Sequence, residues 1–143
     1  MKKLIILLAG GFSEERDISL LSAKAIYSSL LRLNYKVETI DPKDYSSWIE
    51  FGKAVEKMKP YIVFNGLHGG VGENGNLQSL LNLLNIPVTG SGYQASVLSM
   101  DKTLSFKLAE SLNIKVAPYY VITRREWIKN RSNCLQYLSD RKQ

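Results

Sequence analysis

One cysteine, one histidine and four prolines make up the whole supply of those residues in this chain of 143. Cys134 has no partner for an internal disulfide, which fits a reducing compartment, and a cytoplasmic location is expected. His68 stands alone, and Cys134 lies far from it in sequence, so no spacing resembles a zinc ligand set. Long apolar runs are also missing. The stretch Leu4 to Ala9 follows Met-Lys-Lys but is too short for a membrane span, and shorter than most signal-peptide cores. It reads as a buried strand. No Gly-x-Ser-x-Gly elbow and no P-loop lysine signature occurs, so nucleophilic and P-loop chemistry find no support. What remains is 45% hydrophobic and 22% charged, the balance of a globular domain able to bury an ordinary core.

The net charge of +6 is unevenly placed. Residues 1–101 carry ten basic and ten acidic side chains, whereas residues 102–143 carry nine basic and three acidic. Those late charges fall at helical spacings that point them in different directions, without the aromatic interleaving of a nucleic-acid surface. A solvated face is the first reading, and a phosphate-bearing ligand or acidic neighbouring domain the second. No nucleic-acid or membrane partner is expected.

Short apolar runs alternate with longer amphipathic ones. Strands are predicted near 3–9, 36–40, 61–65 and 119–122. Helices are predicted where Ile18, Leu21, Ala25, Leu30 and Leu31 recur at near-helical spacing, over 44–59, along Leu77, Leu80, Leu81 and Leu84, and over 95–100. Further helices are predicted from a cap at Asp101 through Leu112, and over 124–138. This alternation implies an α/β, Rossmann-like domain with a mainly parallel sheet flanked by helices. Ligands on such sheets sit beyond the carboxyl ends of the strands. Two loops occupy that edge here, 10–17 and 66–76.

The second loop holds Gly66, Gly69, Gly70, Gly72 and Gly75, half of the chain's ten glycines, together with His68 and Glu73. Glycine lets a ligand approach backbone closely, so an imidazole between glycines can meet an anionic substrate group, against the plainer role of a structural hydrogen bond. The first loop places Glu14, Glu15 and Asp17 at a helix start. Three carboxylates there repel phosphate and suit an ammonium group, or they simply complement the helix dipole, with Ser13 or Asp17 as cap. Lys102 follows Asp101 at another helix start, where a cation opposes the dipole; a solvated lysine is the default reading, but that misfit marks it above Lys107 and Lys115 for a ligand contact. The leucines 77–84, Tyr119 and Tyr120 read as core.

Three stretches in order and spacing carry a resemblance: Leu-Ala-Gly-Gly-Phe-Ser-Glu-Glu-Arg-Asp-Ile-Ser-Leu (8–20), Val-Phe-Asn-Gly-Leu-His-Gly-Gly-Val-Gly-Glu-Asn-Gly-Asn-Leu-Gln (63–78) and Ile-Pro-Val-Thr-Gly-Ser-Gly-Tyr-Gln-Ala-Ser-Val-Leu-Ser-Met-Asp-Lys (86–102). From about residue 3 to residue 123 the chain resembles the N-terminal domain of D-alanine–D-alanine ligases, in the ATP-grasp superfamily. That family joins two D-alanines with ATP and Mg²⁺. The resemblance implies that Glu15 is a catalytic and substrate-binding residue that receives the ammonium of the first D-alanine. It implies further that Ile18 lies near the methyl group, His68 beside the substrate, and Lys102 at the nucleotide. It favours the ammonium reading of Glu15 over the capping one. Gly66, Asn74 and Ser79 depart from the alanine, aspartate and glycine usual in the family. Residues 1–123 are expected to form the substrate-binding domain, and 124–143 a basic helical tail leading to ATP-grasp domains that hold most ATP contacts and the Mg²⁺ carboxylates. On that reading the chain is an N-terminal fragment without ligase activity of its own, with no metal ligands and a homodimeric parent. A non-catalytic binding domain or the remnant of a truncated gene is the alternative, and a D-alanyl-D-lactate variant stays open.

Overall fold

The computed structural model describes residues 2–131. The chain divides into two compact units, Met1–Lys102 and Thr103–Gln143. In the first, strands β1 (Leu4–Leu8), β2 (Lys36–Ile40) and β3 (Ile62–Asn65) form one sheet ordered β2-β1-β3. Both pairings are parallel, with Ile6 opposite Glu38 on one side and Val63 on the other. Central β1 is apolar throughout because both its faces are covered. Its alternation splits the core: Ile6 and Leu8 point to one face, Ile5 and Leu7 to the other.

Helix α1 (Arg16–Arg32) contributes Ala23 and Leu30 to the cluster around Ile5 and Leu7. Helices α2 (Trp48–Met58) and α3 (Asn76–Leu83) contribute Phe51, Val55, Leu77 and Leu81 to the opposite one. The α/β layering with a parallel sheet is therefore as the residues predict. In α1 the buried positions are Ser19, Ala23 and Leu30, while Ile18, Leu21 and Leu31 are exposed. Of the predicted apolar positions Leu30 does reach the core, but Ile18, Leu21 and Leu31 turn from the sheet, because the inner stripe opens on a serine that a hydrophobic pattern does not register.

Val88 pairs with Val63 by a single parallel bridge, and α4 (Tyr93–Met100) follows. Asp101 is extended and lies between α4 and α5 (Lys102–Ser111). Helices α1, α3 and α5 stop the same way. Asn34, Asn85 and Asn113 take left-handed φ of 65°, 55° and 58°, and the next amide reaches back to the carbonyl of Leu30, Leu81 or Ala109. Asparagine tolerates that conformation, and each stop closes as a Schellman motif.

The predicted strand at 119–122 does not form: among the described residues, 115–123 are irregular. Tyr119 instead packs on Phe106, with ring centroids 4.8 Å apart, and donates to Glu110 at 3.2 Å. Tyr120 is exposed, so it is not core. Helix α6 (Arg124–Lys129) opens on a capping box between Thr123 and Glu126. The predicted extension to 138 lies largely outside the described residues. Among the described residues, no helix is long and apolar enough to cross a membrane.

Candidate functional site

The loops leaving β1 and β3 are stitched together by two serines. Ser19, fully buried in α1, accepts the Gly10 amide at 2.9 Å and donates to the Gly66 carbonyl at 2.6 Å. Ser13 accepts the Glu15 amide at 3.2 Å and donates to the His68 carbonyl at 2.5 Å. The first loop is also pinned from β2. Asp41 accepts the amides of Gly11 and Lys43, each at 2.9 Å, and pairs with Arg16 at 2.6 Å. Arg16 in turn donates to the Gly11 carbonyl at 2.9 Å.

Partial burial pushes the Asp41 carboxyl up, but hydrogen bonds from Arg16, Lys43 and Gly11 outweigh it and hold the group below the usual carboxylate range. A carboxyl depressed in the folded state stabilises the fold above its unfolded value and loses that contribution as pH falls through the folded one. Asp41→Asn is therefore expected to cost about 1–2 kcal/mol at neutral pH, discounted for solvent at Arg16, and nearly nothing at strongly acidic pH. Urea unfolding of both proteins at several pH values below about 5 measures the convergence. A constant difference across that range contradicts it.

Glu15 occupies the N-cap position of α1, yet its side chain makes no capping bond. Its carboxylate lies against the second loop: a Cβ built on Gly69, itself at φ +65°, would come within 2.5 Å of Glu15 Oε2. Glu15, Ile18 and Ser22 are three and four residues apart, so they share one edge of α1. Ser22 Oγ lies 3.3 Å from His68 Nε2, and His68 Nδ1 lies 3.9 Å from Glu73 Oε1. Glu15 thus lies beside Gly69 and His68 between Ser22 and Glu73, while Ile18 shares only the helix edge of Glu15 and Ser22 and is half-exposed. Lys102 is not joined to them. It opens α5 two residues past Met100, which lines the same cleft as His68, and it makes no hydrogen bond or ion pair with the other three.

That cleft has a volume of about 700 Å³ and is walled by Ser22, His68, Glu73, Gln78, Thr89 and Ser96 among others. Gln78 is buried, donates to the Gly72 carbonyl at 2.9 Å, and leaves its Oε1 without a partner. A smaller hollow of about 230 Å³ is also lined by His68, together with Phe12 and Trp48. Neither Glu15 nor Ile18 lines either hollow. Among the described residues, no group of three His, Cys, Asp or Glu could hold a metal ion.

Ser22, His68 and Glu73 occur in the order of a Ser-His-acid relay, but their lengths argue against one. The Ser22 hydroxyl donates to the Ile18 carbonyl at 2.8 Å, a shorter contact than to the imidazole, and 3.9 Å is too long for a hydrogen bond to Glu73. Ser22 is no activated nucleophile.

Ser19, Ser22, Arg16 and Asp41 are the working residues that sequence reasoning missed, and Ser13 entered it only as a cap. Their partners lie up to 55 residues away, as Ser13 and His68 do. The one local signal was a serine on the inner stripe of α1.

No protein-family model matches the chain. Curated relatives do. A D-alanine–D-alanine ligase of Rickettsia canadensis (strain McKiel) is 41% identical over 128 residues, which is 90% of this chain and 35% of that protein. A D-alanine–D-alanine ligase of Wolbachia pipientis wMel is 40% identical over 126 residues, 88% of this chain and 38% of that protein. The chain therefore spans little more than a third of the length of these relatives. Among solved structures, a D-alanine–D-alanine ligase from Bacillus anthracis superposes with a TM-score of 0.74 at 27% identity, over 87% of this chain and 39% of that one. The ligase from Coxiella burnetii gives 0.74 at 27% identity, over 99% and 50%.

Proposed function

As a homologue of the D-alanine–D-alanine ligases over nine-tenths of its length, this chain is, we propose, the part of such a ligase that receives the first D-alanine. The observation that carries the reading is the Glu15 carboxylate, which caps nothing and lies against Gly69, next to His68. A negative charge at a helix start is favoured by the dipole behind it and complements an ammonium group. Ile18, one turn on, offers apolar surface to a methyl group. His68 supplies a polar contact from the opposite loop. Lys102 is the proposed contact toward the nucleotide.

On this reading, residues 1–123 form the substrate-binding part, and 124–143 lead toward the ATP-grasp domains of a complete, homodimeric ligase. ATP and Mg²⁺ would supply phosphoryl activation of a carboxylate there. The described residues offer no fitting set of metal carboxylates, so no such step is assigned to them.

The test is a titration of the isolated chain with D-alanine, followed by NMR at the single imidazole and the Gly69 amide. A saturable response with Kd on the order of 1 mM, about 4 kcal/mol, is expected, with a weaker response to L-alanine. No D-alanine-stimulated phosphate release from ATP is expected of these residues alone. Absence of any D-alanine response, or equal responses to both enantiomers, would overturn the reading.

A further inference from the structure

The position of one hydrogen atom on His68 decides what the Ser22–His68–Glu73 group can do. A serine hydroxyl has a single proton and two lone pairs. In Ser22 that proton goes to the Ile18 carbonyl at 2.8 Å, the back-bond that serine makes within helices. What Ser22 turns toward His68 Nε2, at 3.3 Å, is a lone pair. In a neutral imidazole two facing lone pairs would repel at 3.3 Å, closer than the 3.9 Å between Nδ1 and Glu73, which favours the hydrogen on Nε2. We propose that Ser22 is a positioning residue that holds the neutral His68 proton on Nε2, leaving the Nδ1 lone pair facing Glu73 as a receptor for an N–H or O–H donor on the ligand.

The second half follows from the inventory of the imidazole. With Nε2 protonated, neutral Nδ1 is an acceptor only, and an ionised Glu73 is likewise an acceptor only. They stand 3.9 Å apart with no proton of their own between them. A donor carrying two hydrogens, such as an amine, an ammonium or water, bridges such a pair. Both groups line the 700 Å³ cleft, so the bridge is open to a ligand. The identity of that ligand as an amino acid rests on the function proposed above; the location of the proton does not.

The chain's single histidine makes the test direct. Long-range ¹H–¹⁵N spectra of the ¹⁵N-labelled chain without ligand, recorded about two pH units above the ordinary imidazole value of about 6.5, identify which ring nitrogen is protonated. The expected result is hydrogen on Nε2 alone. In Ser22→Ala the Nδ1–H form should appear, and exchange of the Nε2 hydrogen with solvent should quicken by about fivefold, the factor one such bond contributes. Ser22→Thr keeps the hydroxyl and should restore the parent spectrum. Hydrogen on Nδ1 in the parent chain would overturn the proposal, because Ser22 would then donate to Nε2 and Nδ1–H would face Glu73. So would identical spectra for parent and Ser22→Ala. Hydrogen on Nε2 combined with silence toward D-alanine would sink the substrate reading alone.

Discussion

Glu15→Gln should weaken D-alanine binding by about 10- to 100-fold while leaving the fold intact. That range follows from replacing a charge-assisted hydrogen bond to an ammonium, worth about 1.5–3 kcal/mol, with a neutral one of the same shape. Little else depends on that charge. The Glu15 side chain makes no capping bond, and the stitch between the loops uses its backbone amide and Ser13 rather than its carboxylate. The stability loss should therefore stay within the dipole contribution of about 0.3–1 kcal/mol. Parallel D-alanine titrations and thermal melts of both proteins give the two numbers. Unchanged affinity would remove the ammonium receptor, and a collapse in stability would make Glu15 a structural residue.

A large loss of stability, on the order of 3 kcal/mol, is expected from Gly10→Ala. Gly10 has φ +86°, where an L side chain is strained. The space a methyl group would need is already taken by the Asp41 carboxylate, with Arg16 Nη1 at 2.7 Å. Substitution must break the Asp41–Arg16 pair or unwind the loop. Gly90 supplies the control. Its φ is +103°, but a Cβ there meets nothing within 4 Å. Gly90→Ala should thus carry only the backbone cost, about 1–2 kcal/mol. Urea unfolding of the two variants separates strain from collision, and equal losses would show that the collision is relieved at no cost.

The alternation of strands and helices through Leu84 was legible because β1, covered on both faces, is a short unbroken apolar run, whereas α2 and α3 bury one face that repeats near every fourth residue. The same logic failed where burial was not apolar. Ser19 opens the buried stripe of α1, ahead of Ala23 and Leu30, while Ile18 and Leu21 face outward. A hydrophobic pattern reads that helix in the wrong rotation. Tyr119 and Tyr120 carry strand propensity, yet an extended segment becomes a strand only if a neighbour offers its backbone, and the described residues contain none for it. At the candidate site, local glycines and acids were what singled out Glu15 and His68 for proposal. Asp41 had no such local sign. Its role depends on Arg16 and Gly11 arriving from 25 and 30 residues away.

The double seam made by Ser13 and Ser19 has a consequence for recognition. Because it locks one loop's amides to the other's carbonyls, the cavity walls are set before any guest arrives. For the D-alanine proposed above, binding would then need little freezing of backbone, so modest contacts would suffice for occupancy.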